Sequence, residues 1–101
     1  MNRVVLLDDA KIEWKNSVVW YEEQSIGWGS RFFEVVEKKL DLIAQSPEQF
    51  PKGKNNLREA VIRIFPFSII FEYHKKDEIV VVVAIFHNKR NPKKKYKSRK
   101  S

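Results

Sequence analysis

The chain has 101 residues, 43% hydrophobic and 33% charged, with no cysteine. This composition suits one soluble domain with a single core, and it excludes a disordered chain, a disulfide scaffold and a thiolate metal site. The net charge of +7 is uneven: residues 88–101 carry eight cations and no acid, so the preceding 87 residues sum to −1. Body-wide steering toward nucleic acid is therefore not expected, although a contact through the tail is compatible with this pattern.

The longest apolar run, Ile79 to Phe86, has eight residues. A membrane-spanning helix needs ~20. Met1–Leu7 runs directly into Asp8-Asp9, which is too short and too acidic for a signal peptide. A cytoplasmic protein is expected, with a folded domain over residues 1–92 and a basic, flexible tail over 93–101.

In chain order, Val4–Leu7 reads as a short strand. Asp8 or Asp9 is positioned to cap the helix that follows. Ala10, Trp14, Ser17, Val18 and Tyr21 form one helical stripe. Gly27 and Gly29 break that pattern. Phe32, Phe33, Val36, Leu40 and Ile43 mark a second amphipathic helix, which ends near Ser46-Pro47. The short link implies an antiparallel helical hairpin. A loop over residues 47–57 follows.

Three strands close the domain, at about Arg58–Ile64, Phe67–Tyr73 and Glu78–His87. They are rich in β-branched and aromatic residues and are cut by turns at Pro66 and at Lys75-Lys76-Asp77. Alternation puts Ala60, Ile62, Ile64, Phe67, Ile69 and Phe71 on one dry face. The other face is mixed, with Glu59, Val61, Arg63, Ser68 and Ile70. The last strand is apolar on both sides, as in strands covered on both faces. The expected fold is a two-layer α+β domain of order β-α-α-β-β-β. Its helical hairpin covers the dry face of a mainly antiparallel sheet. The first strand is expected at an edge or beside the last. A second apolar surface would then await a partner on the mixed face.

Certain stretches carry a family resemblance. Val18-Val19-Trp20-Tyr21-Glu22-Glu23-Gln24, Gly27-Trp28-Gly29-Ser30-Arg31-Phe32-Phe33, Phe65-Pro66-Phe67, and Ala84-Ile85-Phe86-His87 leading to Arg90-Asn91-Pro92 together resemble the RelE/ParE superfamily of bacterial type II toxins. The resemblance implies a growth inhibitor neutralised by a cognate antitoxin whose C-terminal segment wraps the toxin. RelE-like members cut mRNA on the ribosome, whereas ParE-like members poison DNA gyrase without catalysing a reaction. The RelE-like branch places cations on the open sheet face, at positions matching Glu59, Val61 and Ser68 here. RNA cleavage by 2′-OH attack needs such cations for the developing phosphate charge. The ParE-like branch is therefore preferred, with DNA gyrase as target. The alternative is a ribosome-dependent mRNA endonuclease using Arg63, His87, Arg90 and Tyr96. A further alternative is an inactive module that only binds antitoxin.

The candidate partner-binding residues are Arg63, Ile70, Trp20, Trp28, Lys89 and Arg90. Each has a plainer reading. Arg63 can pair with Glu59 or Glu72 at the surface, and Trp20 and Trp28 can be helix packing. Arg58 reads as an edge arginine bonded to a carboxylate or carbonyl. His87 reads either as a strand-end histidine with one satisfied nitrogen or as an acid–base group, since histidine alone titrates near neutrality unperturbed. His74 is expected in solvent. Two separated histidines give no metal-site spacing, so no metal or cofactor is expected.

Overall fold

The computed structural model describes residues 1–89. Strand β1 (Arg3–Leu6) leads into helices α1 (Asp8–Gln24) and α2 (Trp28–Gln45), and strands β2 (Arg58–Ile62), β3 (Phe67–His74) and β4 (Ile79–His87) follow. The sheet order is β1-β4-β3-β2. β1 runs parallel to β4, and the other pairs are antiparallel. The expected α+β layering holds, and β1 lies both at an edge and beside β4. Arg90, Tyr96 and the domain limit at residue 92 lie outside the described residues.

The hairpin is built around a close approach. Gly29 lies in the first turn of α2, where a Cβ would stand 2.6 Å from the Val18 carbonyl oxygen and 2.9 Å from Glu22 Cβ. Only glycine permits that spacing. Gly27 has φ +90°, in the left-handed region where glycine carries no Cβ penalty. The Glu22 carboxylate accepts the N–H groups of Gly27 (3.0 Å) and Gly29 (3.0 Å). It thus satisfies orphan donors at the start of α2 from the neighbouring helix, a place where negative charge is favoured. The start of α1 differs from expectation. Its N-cap is Leu7, without a side-chain cap, and Asp8 and Asp9 sit inside the first turn. Their charge still complements the helix dipole.

One face of the sheet packs on the hairpin. Phe32, Val36, Leu40 and Ile43 of α2, with Ala10 and Tyr21 of α1, meet Ala60, Ile62, Phe67, Ile69, Phe71, Val80 and Val82. The dry face is therefore the predicted one, with two corrections. β2 stops at Ile62, so Arg63 and Ile64 enter the turn before Pro66. Ile64 is 62% exposed, and Phe65 fills the core instead. Phe33 is 41% exposed and lies outside the core, stacked on Trp14 at 4.7 Å.

β4 breaks its own alternation. Ile70 pairs with Ala84 and Phe71 with Val82, which leaves Val83 as an extra residue. Such a bulge shifts the phase of every side chain after it. Val80 and Val82 face the helices before the bulge, and Ile85 does so after it. Val83, Ala84 and Phe86 join Leu57 and Ile70 in a second cluster on the opposite face. Strict alternation would put Val80, Val82, Ala84 and Phe86 on one side and Val81, Val83 and Ile85 on the other, and the bulge splits both sets. The apolar centre of the mixed face is also buried rather than open, with Ile70 fully so.

Gly29→Ala is expected to lower unfolding free energy by about 1–3 kcal/mol, the cost of overpacking a tight contact. Urea denaturation followed by circular dichroism reads this directly.

Candidate functional site

The cation positions of the mixed face hold a different chemistry. Ser68, fully buried, places Oγ 2.6 Å from Glu59 Oε2 and 3.0 Å from the Asn88 side-chain oxygen as assigned. A hydroxyl has one proton, and the shorter contact gives it to the carboxylate. Asn88 then meets Ser68 through its amide nitrogen, the opposite of the assigned orientation. The Asn88 N–H donates to the Pro66 carbonyl at 2.7 Å, tying this cluster to the β2–β3 turn. Beside it Val61 is half-exposed. Among the described residues, the arrangement holds a carboxylate in place and brings no cation into that hydrogen-bonded cluster.

His87 lies on the other side of the sheet. It pairs directly with Phe67 across β3 and β4, with ring centroids 4.9 Å apart, and Phe67 belongs to the helix-side core. Its Nδ1 accepts the Lys89 N–H at 3.2 Å. That is the strand-end histidine with a satisfied nitrogen. The sequence could not place it, because the bulge at Val83 reverses the parity of the strand's end. Arg63 is exposed in its turn. Among the described residues the ion pairs are His74–Glu72 and Lys75–Glu48, so Arg63 pairs with neither Glu59 nor Glu72. Arg58 donates to the Phe50 carbonyl at 2.7 Å, as its strand-edge position suggested. His74 is exposed beside Glu72. No cluster of metal-ligating side chains occurs among the described residues.

The open apolar surface lies on the helices. Two adjoining cavities of about 530 and 490 Å³ share Val18, Val19 and Phe33. Trp14 and Leu6 extend the floor, Lys11 and Lys15 stand at one end, and Glu22, Glu23 and Glu34 stand at the other. The sequence pattern hid this groove. Val19 falls off the α1 stripe, and Phe33 has the spacing of a core residue. The signal in hindsight is that adjacent Phe32 and Phe33 cannot share one face of a helix. Trp20 and Trp28 are 55% and 50% exposed. They flank Tyr21, whose ring packs against Phe32 and Phe65 at 5.0 and 4.8 Å.

Three comparisons bear on this arrangement. Residues 4–92 match the family model described as ParE toxin of type II toxin-antitoxin system, parDE. The fold is similar to a chain of the intact E. coli RelBE toxin-antitoxin complex, with 18% identity, TM-score 0.67, and coverage of 89% of this chain and 100% of that one. It is also similar to the isolated E. coli RelE toxin, at 18% identity and TM-score 0.66, covering 90% and 88% of the two chains. No curated protein matches. A small α+β toxin fold, a helical hairpin on a four-stranded sheet, is the class these features define. The chain belongs to the ParE toxin family of type II toxin–antitoxin systems.

Burial raises the pKa of Tyr21 above its ordinary value of 10.0. The folded state thus holds the phenol proton more tightly than the unfolded chain does. Tyr21 leaves stability unchanged below pH 10, and stability falls as the pH rises above it. Tyr21→Phe should lose less stability between pH 9 and 11 than the parent in denaturant titrations.

Proposed function

We propose that this toxin inhibits growth through protein–protein contact with DNA gyrase in the cytoplasm, without catalysing a reaction. The observation that carries this reading is the mixed sheet face. Where RNA cleavage would need cations, Glu59 and Ser68 form a 2.6 Å hydrogen bond. A carboxylate there repels a scissile phosphate, so the site opposes the charge that a phosphoryl transition state develops. The placement of His87 on the far side supports the same reading, since an acid–base group must reach the reacting atoms.

Induction of the toxin alone should arrest growth and alter DNA supercoiling while leaving messages intact. His87→Ala should retain that effect. Cleaved message that disappears in His87→Ala would replace this reading with ribosome-dependent cleavage. Unimpeded growth would indicate an antitoxin-binding module.

We further propose that a cognate antitoxin occupies the groove over Val18, Val19 and Phe33. Ile70, Val83 and Phe86 are buried, which favours the groove over the mixed face as the apolar docking surface. The groove is apolar along its floor, and its ends differ in sign. It would take an amphipathic segment with acids over Lys11 and Lys15 and bases over Glu23 and Glu34. Val19 is half-exposed. Val19→Glu should therefore keep the fold and weaken antitoxin binding at least about tenfold, the scale of a lost interface anchor. Calorimetric titration with the antitoxin checks this, and unchanged affinity would place the interface elsewhere.

A further inference from the structure

The end of the molecule that carries the α1–α2 link and the β2–β3 turn is apolar and open. Ile26, in the link, is 95% exposed, and Ile64, in the turn, is 62% exposed. Trp20 and Trp28 are half-exposed at the same end. Both rings pack on Tyr21, and Trp28 also meets Phe65, the residue after Ile64, at 6.4 Å. None of the four lines the groove. We propose that this end is the surface by which the toxin grips its target, and that it takes an acidic protein surface presenting apolar side chains. The assignment rests on the reading of the toxin as an inhibitor that acts through protein contact.

Size is the first argument. Two half-exposed tryptophans and two isoleucines that are more exposed still leave on the order of 500 Å² of apolar surface in water. Patches of that size stand at the upper end of what monomers expose and mark binding sites. A standard interface takes about 800 Å² from each partner, so these four side chains supply more than half of one.

Charge is the second argument. Arg63 adjoins Ile64 in the turn, and Arg31 stands three residues after Trp28, on the same side of α2. Lys89 follows the end of β4, where the Asn88 N–H donates to the carbonyl of Pro66 in the same turn. All three cations are exposed. The acids of the adjoining part of α1 are engaged elsewhere. Glu22 accepts the Gly27 and Gly29 amides, and both Glu22 and Glu23 line the groove. Among the described residues, the tip thus pairs an apolar centre with a cationic rim, which complements an acidic partner.

The third argument is anatomy, and it separates a protein from other occupants. Protein interfaces have an apolar core enriched in tryptophan and arginine, with charge at the rim. Nucleic acid needs cations across the contact, because roughly half or more of its hydrogen bonds with protein go to phosphate and sugar. Ile26 and Ile64, in the centre here, offer neither charge nor a stacking plane. A second copy would set two cationic rims against each other, each adjoining the basic stretch that begins at Lys89.

The test uses the full chain with purified DNA gyrase and relaxed plasmid, and reads the toxin concentration that halves supercoiling. Ile26→Glu changes a side chain that is already in solvent, and Arg63→Glu reverses a rim charge. Each should raise that concentration at least about tenfold, the scale of a lost interface anchor. Lys76→Glu makes the same charge change in the β3–β4 turn, at the other end of the sheet, and should leave it unchanged. Circular dichroism of each variant checks that the fold is kept. Inhibition that survives both tip substitutions overturns the surface and leaves the reading standing. Equal losses from Arg63→Glu and Lys76→Glu overturn the acidic partner, because they report net charge alone. A parent without effect on gyrase overturns the reading itself, and the assignment falls with it. Two further measurements can give the tip to another occupant and so overturn the proposal. One is a parent that sediments as a dimer while Ile26→Glu sediments as a monomer. The other is a parent that binds a single-stranded oligonucleotide while Ile26→Glu does not.

Discussion

The structure depends on how closely two helices can approach. At Gly29 the backbone of α2 comes so near the Val18 carbonyl that no side chain fits between them. Glu22, one turn further along α1, then reaches the amides of Gly27 and Gly29. One glycine and one carboxylate thus close the hairpin. Closure sets which residues of each helix are left outside. Phe32 turns into the core against Tyr21, Phe65 and Phe67. Phe33 turns out to stack on Trp14, and with Val18 and Val19 it makes the groove floor. A wider hairpin would separate Val18 from Phe33 and leave two unrelated apolar spots.

The sheet contributes a constraint of another kind. Its central strand carries one residue too many, Val83, and the strand's two halves are therefore out of phase. Glu59, Ser68 and Asn88 consequently gather on one face, while His87 turns to the helices. Without the bulge, His87 would share the face of Ser68. One inserted residue separates an acid–base group from the carboxylate cluster and places it beside Glu13 and Trp20 instead.

Element order, layering and the dry face were legible in the sequence because they follow from periodicity and turn residues. Ala10, Ser17 and Tyr21 show helical spacing and are buried as a stripe. Pro66 marks a turn because it cannot donate to a ladder. The site was less legible, for a physical reason. Ile79 to Phe86 has no polar residue to mark its phase, so alternation cannot detect a bulge within it. Glu22 and Glu13 look like ordinary surface acids on α1, yet each binds backbone amides far from its own helix turn. Contacts to backbone leave no trace in the identity of the residue contacted. Phe33 misled because its spacing is that of the core residues on α2.

The position of β4 has a bearing on how the chain comes into being. It lies between β1 and β3 and is the last described strand in sequence. During synthesis β1 emerges first and has no neighbour to pair with until residues 79–82 arrive. At roughly 5–20 residues per second, that delay lasts several seconds. Until then the helical hairpin has only local contacts and half a floor, since Val80 and Val82 are missing from its core. The nascent chain therefore carries its apolar hairpin uncovered while β4 is being made.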